Sequence, residues 1–264
     1  MKSLLHLLLF IKLFHFILEV NSKSISVNNE NDLINGFSNN KSVDELTIII
    51  NNGILNISND INLNNNNIKK LIITGESKDN SILNFNNINN GFTFGKSINE
   101  IKLNKISIKG CLKFINNINI EIDDVNINGT LDFNNQCSND QCTNDQSIYI
   151  NKLDFYSETS SKDYCINLFG NVKIYNSLFY GNPSCKYGIM KYDGENINNI
   201  EINDSYFDGK YSNQCLSINN SFKSYINSSI FEKGASYKNG GYFLFNNKYN
   251  VIYNTFFLIM KFNN

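Results

Sequence analysis

The chain has no arginine and no tryptophan, one alanine (Ala235) and one proline (Pro183) in 264 residues. Its two histidines, His6 and His15, both lie in the first 22 residues. Without arginine there is no bidentate guanidinium clamp for carboxylate or phosphate. If the first 22 residues form a cleaved leader, as argued below, the mature chain also lacks imidazole for acid–base catalysis or metal ligation. The scarcity of alanine and arginine leaves few strong helix formers. A formal net charge of -1 with no basic stripe excludes nucleic acid as the expected partner.

What is present is 53 asparagines, 37 isoleucines, 20 phenylalanines and 14 tyrosines. Isoleucine and the aromatics suit a pleated surface and asparagine suits tight turns, so the fold class is all-β. A hydrophobic content of 41% over this length is enough to bury a full core. An AT-rich genome also favours these residues, so the spacing carries more weight than the amounts.

Met1-Lys2-Ser3 precedes an apolar run from Leu4 to Leu18, followed by Val20-Asn21-Ser22 ahead of Lys23. This has the form of a secretory signal peptide over residues 1–22. The run is about 15 residues, shorter than the roughly 20 of a spanning helix, and is interrupted by His6, Lys12 and His15. No later stretch approaches that length, so the mature chain is expected to be secreted, with no membrane span. Export makes the six cysteines candidates for disulfides. The close thiolate pairs of a zinc site are absent, so no metal is assigned. Sequons stand at Asn40, Asn56, Asn128, Asn203, Asn219 and Asn227. That number is what chance gives in so asparagine-rich a chain, and they are glycosylation candidates only.

From about residue 98 one pattern recurs. Ile101-Lys-Leu103-Asn-Lys-Ile-Ser-Ile-Lys-Gly110 aligns with Ile120-Glu-Ile122-Asp-Asp-Val-Asn-Ile-Asn-Gly129, and further copies include Lys173-Ile174-Tyr-Asn-Ser-Leu-Phe179 and Glu201-Ile202-Asn-Asp-Ser-Tyr-Phe207. Leu103, Ile122, Ile150, Ile174, Ile202, Ile226 and Ile252 occupy one shared position, the anchor of each copy, at spacings of 19, 28, 24, 28, 24 and 26 residues. Such a period marks a solenoid. A second alternating segment lies between copies, for example Cys111-Leu-Lys-Phe114, Cys165-Ile-Asn-Leu168 and Cys215-Leu-Ser-Ile218. At least two strands per period make a parallel β-helix. Five residues after the anchor stand Ile108, Ile127, Phe155, Phe179, Phe207, Phe231 and Phe257, an apolar file that would stack along the core. Two residues after it stand Lys105, Asp124, Lys152, Asn176, Asp204, Ser228 and Asn254, read as a corner where charges alternate between coils and asparagine tolerates a left-handed bend. Gly110, Gly129, Gly181 and Gly209, seven after it, mark where each coil turns.

Ser24-Ile-Ser-Val27 reads as a first strand, and residues 31–37 as a short capping helix with Leu33, Ile34 and Phe37 on one face. Residues 134–146, with the doubled motif around Cys137 and Cys142, form a protruding loop. No linker divides residues 23–264, which are one β-helix domain. Cys111, Cys165 and Cys215 fall two coils apart, too far to bridge one another. Of the 15 possible full pairings, Cys165 with Cys185 and Cys137 with Cys142 are favoured. An open end after Asn264 is expected to give end-to-end association or to belong to a longer native chain.

Copies such as Val172-Lys-Ile-Tyr-Asn-Ser-Leu-Phe-Tyr-Gly181 resemble the repeats of the pectin-lyase-like superfamily, over about residues 24–260. The resemblance implies a single-stranded right-handed parallel β-helix. Pectate lyases of that fold use carboxylate-bound Ca²⁺ and an arginine base, and its polygalacturonases pair Asp with His, Arg and Lys. This chain lacks Arg and mature His, so no catalytic residue carries over.

The remaining candidates are weighed against structural roles. Asp123 and Asp124, with Asp132 nearby, are possible Ca²⁺ ligands or partners of a uronic acid, with Lys105 or Lys152 as base. Asp204 with Asp208 and Glu201 is a similar set, and Asp140 and Asp145 offer calcium oxygens in the loop. In each case surface charge pairing or a plain loop is the stronger reading. Tyr149 and Tyr225, on the outer face, suit stacking against sugar rings. The sequence therefore points to a secreted, non-enzymatic binding or scaffold module for a polysaccharide or cell-surface component. The alternative is a lyase or hydrolase of pectin-like polymers.

Overall fold

A computed structural model describes residues 21–134, 146–159, 163–236, 243–246 and 249–262. Each strand pairs in parallel with its counterpart one repeat away, so the chain winds as a β-solenoid. Ten strands, from Ser22–Val27 through Glu100–Lys109 to Tyr249–Tyr253, stack as a first face. A second face, from Gly53–Ile57 to Phe256–Phe262, belongs to the same bent sheet. The third is a separate eight-stranded sheet from Ile61–Asn62 to Phe243–Asn246.

The repeat register is the strand register. Leu103 pairs with Ile122, and Ile150, Ile174, Ile202, Ile226 and Ile252 follow in order. Ile73, Ile48 and Ile25 extend the file upstream. On the second face the file from Ile108 to Phe257 is unbroken and reaches back to Leu83 and Leu55. The rings of Phe179 and Phe207, and of Phe207 and Phe231, stack with centroids 4.5 Å apart. On the third face Phe94, Phe114 and Phe133 stack at 4.9 and 4.5 Å. These side chains are fully buried, and burying each in place of exposing it contributes about 1.5–3 kcal/mol.

The corner between the first two faces is the left-handed bend. All seven residues of the file from Lys105 to Asn254 have φ between 45 and 55°. This region costs an L-residue about 1–2 kcal/mol, and Asn and Asp tolerate it best. Beyond the corner the coils diverge. Glu100–Lys109, Asn119–Asn128 and Ser147–Tyr156 run through it as single strands with Ile106, Val125 and Leu153 inside. From residue 171 onward the strand is divided, and Ser177, Ser205, Ser229 and Thr255 occupy that inner position. Their hydroxyls form an axial ladder. Ser177 Oγ accepts the Leu153 amide at 3.1 Å and donates to Tyr175 O at 2.6 Å; Ser205 Oγ accepts from Ser177 and Ser229 Oγ from Ser205 in the same way.

At the second turn a Cβ on Gly129 would lie 1.8 Å from Gly110 O, so glycine is required where the two coils touch. The helix spans Glu30–Ser38, with Asn29 Oδ1 accepting the Asp32 amide at its start. Leu33 and Phe37, one turn apart, are buried against the first coil, and Gly36 packs on Ile48 and Ile25. Ile34 lies outside this stripe and is exposed, contrary to the sequence expectation, because a one-residue step rotates the side chain by about 100°. Cys165 and Cys185 form a disulfide between consecutive coils, with Cα atoms 5.3 Å apart. Cys137, Cys142, Asp140 and Asp145 lie outside the described residues, as does most of residues 1–22. No helix among the described residues is long and apolar enough to cross a membrane. In the last coil Ile252 and Phe257, whose counterparts Ile226 and Phe231 are fully buried, are each 42% exposed.

Candidate binding face

The outer side of the first face carries two adjoining hollows that meet at Ser147. Outward residues alternate along each strand, so the hollows are lined by the files one and three positions before the anchor. One has a volume of about 550 Å³ and is lined by Lys70, Glu100, Lys102, Glu121 and Tyr149 among others. The second, about 490 Å³, has Val172 and Ile200 in its floor and Asn171, Lys173, Asn199, Glu201, Lys223 and Tyr225 around them. Together they cross seven strands from Lys70 to Lys223, roughly 29 Å at the strand spacing.

The two hollows differ electrostatically. In the first, Lys102 Nζ lies 2.6 Å from Glu121 Oε1 and Lys70 pairs with Glu45 at 3.0 Å. Stacking alone would also pair Lys173 with Glu201, its neighbour in register. Instead Glu201 accepts hydrogen bonds from the Tyr175 hydroxyl at 2.9 Å and Asn203 Nδ2 at 2.8 Å. Burial, then the hydrogen bond to Glu201 and its charge, pushes the Tyr175 phenol up to about 12. Among the described residues neither Lys173 nor Lys223 forms an ion pair, so the second hollow presents two free ammonium groups beside tyrosine and amide side chains.

The sequence candidates scatter. Tyr149 lines the first hollow and Tyr225 the second, with the Tyr149 ring 5.8 Å from that of Tyr175. Asp123 faces outward and accepts from Asn151 Nδ2 at 2.8 Å, while Asp124 sits on the left-handed corner. The Asp124 ion partner is Lys78, from the loop after Lys70–Gly75, which also holds Asp154 at 2.8 Å. Lys105 and Lys152, the sequence-expected partners, make no ion pair with it. Asp132 lies on the third face between Lys113 and Asn167. Burial raises its carboxyl above the usual range against the opposing charge of Lys113. Asp204 is another corner residue, while Asp208 is on the second face. Among the described residues no three His, Cys, Asp or Glu side chains converge as metal ligands.

One cluster went unread in the sequence. Asp208, 1% exposed, accepts from Lys210 Nζ at 2.6 Å and lies 3.4 Å from Lys233 Nζ. Lys233 and the Tyr206 hydroxyl both bond Glu232. Burial alone would raise the Asp208 carboxyl; the hydrogen bonds from Lys210 and the charges of both lysines outweigh it and hold the carboxyl below its usual range. Cys215 nearby donates to Glu232 O at 3.8 Å, and burial pushes its thiol up, away from the reactive thiolate. Asp208, Lys210 and Lys233 make a closed ion cluster, without a free nucleophile.

No protein-family model matches the chain, and neither the curated proteins nor the solved structures contain a significant match.

Proposed function

We propose that the protein is an exported, non-enzymatic binding module whose first face holds an extended polysaccharide. The observation that carries this is the pair of adjoining hollows, with Tyr149 and Tyr225 for sugar faces and Lys173 and Lys223 free for acidic groups. A solenoid supplies such a surface because every coil adds the same outward positions at a fixed spacing, matching a polymer that repeats along its own axis. Glu121 is held by Lys102, and Glu201 by the Tyr175 hydroxyl and Asn203 Nδ2, so both carboxylates already serve as structural partners on this face.

Affinity electrophoresis in gels containing polygalacturonate tests the reading. Retardation is expected, and Lys173→Gln with Lys223→Gln should weaken it by about tenfold at low salt, since two screened ammonium contacts contribute on the order of 0.5–1 kcal/mol each. No retardation by polygalacturonate or by neutral plant polysaccharides overturns the binding reading. Release of unsaturated products or new reducing ends overturns its non-enzymatic part in favour of a lyase or hydrolase.

A further inference from the structure

The fold treats the six sequons unequally. Asn40 is buried and its Nδ2 donates to Gly36 O at 2.7 Å, closing the helix. Asn128 is buried with its Oδ1 on the Glu158 amide, and Asn203 is buried with its Nδ2 on Glu201. Asn219 is half-buried and donates to Ser217 Oγ at 3.1 Å, and half-buried Asn227 has its Oδ1 enclosed. Ser205 and Ser229, the hydroxyl residues of two of these sequons, are rungs of the serine ladder. Packing of the corner therefore accounts for both tripeptides.

Of the six sequon asparagines, Asn56 alone is exposed. It is exposed on the strand Gly53–Ile57, between the buried side chains of Leu55 and Ile57. Its Oδ1 accepts from Asn84 Nδ2 at 2.6 Å, and its own Nδ2 donates to none of the described residues. The sequon residue Ser58 is also exposed, with its hydroxyl on Glu30 at 3.0 Å. A bulky, water-seeking sugar is compatible with such a position, whereas on Asn40, Asn128 or Asn203 it would have to displace packed neighbours.

We infer that Asn56 is the N-glycan acceptor of the folded protein, an inference that rests on the export reading above. In the transfer, the C1–O bond of a polyprenyl-diphosphate-linked oligosaccharide breaks and a C1–N bond to Asn56 Nδ2 forms. One amide proton leaves with the diphosphate. The glycan projects from the second face, in the outward file shared with Asn84 and Lys109, and leaves the two hollows of the first face uncovered. It marks the second face as the side turned away from a polysaccharide partner.

The test expresses residues 23–264 behind a foreign leader in a eukaryotic secretory host, so that residues 1–22 do not decide the outcome. The secreted protein is treated with peptide-N-glycosidase in ¹⁸O-water and mapped by mass spectrometry. Labelled aspartate is expected at position 56, with Asn40, Asn128 and Asn203 unchanged, and Asn56→Gln should remove one glycan-sized step on a gel. Unmodified Asn56 in secreted protein, or labelling at any of the three buried asparagines, overturns the inference. The native leader fused to a reporter tests export separately, and polysaccharide binding is measured on the deglycosylated protein.

Discussion

The two halves of the solenoid build the same cross-section from different parts. Before residue 134 the ring stack stands on the third face, as Phe94, Phe114 and Phe133, while the file Leu83, Ile108 and Ile127 is aliphatic on the second, where Phe85 is a single ring edge-on to Phe92. After residue 146 the rings move to the second face, from Phe155 to Phe257, and the third takes Leu168 and Ile218, with Tyr192 between them turning its hydroxyl to Gly170 O at 2.9 Å. The inner corner changes with it, from Ile106, Val125 and Leu153 to Ser177, Ser205 and Ser229. Interiors pack at near-constant density, so a ring gained on one face is offset by smaller side chains on another. The serines do for the backbone what continuous strand pairing does upstream: each takes an amide from the preceding coil and returns a proton to its own chain. The hollows follow the same division, with the Lys70–Glu45 and Lys102–Glu121 pairs upstream and, among the described residues, no ion pair at Lys173 or Lys223.

The contrast between the halves is open to test at several points. Removal of a ring from the downstream stack has the largest expected effect: Phe207→Ala should lower stability by about 3–5 kcal/mol in urea unfolding. Adding a ring upstream, Ile127→Phe, should cost about 1–3 kcal/mol, because Phe133 already fills that section. A stabilising Ile127→Phe would show that ring placement is not coupled between faces. Cys165→Ser with Cys185→Ser should cost about 3 kcal/mol for a separation of 20 residues, read as the difference between oxidised and variant protein. Ser205→Ala leaves the Ser177 amide and Asn203 carbonyl without their hydroxyl partner, an expected loss of about 1–3 kcal/mol with faster hydrogen exchange at the Ser177 amide. Unchanged exchange there would show that the ladder protects nothing. The smallest effect concerns acid. The Asp208 carboxyl is held below its usual range, so its contribution is present above about pH 4 and lost as pH falls through the lower folded value. Asp208→Asn should flatten that part of the stability–pH curve.

Much of this was legible because it follows from a period. The anchor file and the file from Ile108 to Phe257 coincide with the paired residues, the corner from Lys105 to Asn254 is left-handed, and Cys165 joins Cys185. What escaped depends on side chains reaching out of their own file. Lys78 comes from a turn to take Asp124, and the Tyr175 hydroxyl takes Glu201 away from Lys173. The serine ladder did have a signal, the column Ser177, Ser205, Ser229 and Thr255, but small polar residues beside asparagine read as turn composition. The hollows draw on Asn171, Asn199 and Lys223, three positions before the anchor, a file with no apolar periodicity to reveal it.

The whole arrangement requires that residues one repeat apart lie one strand spacing apart along a single axis. Spin labels carried on unnatural amino acids at positions 47, 102 and 225 test it while leaving the cysteines native. Electron–electron distances should follow the number of intervening strands: about 24 Å between 102 and 225, five strands apart, and about 34 Å between 47 and 225, seven apart. Distances that do not grow in that five-to-seven proportion would contradict the solenoid and the binding face built on it.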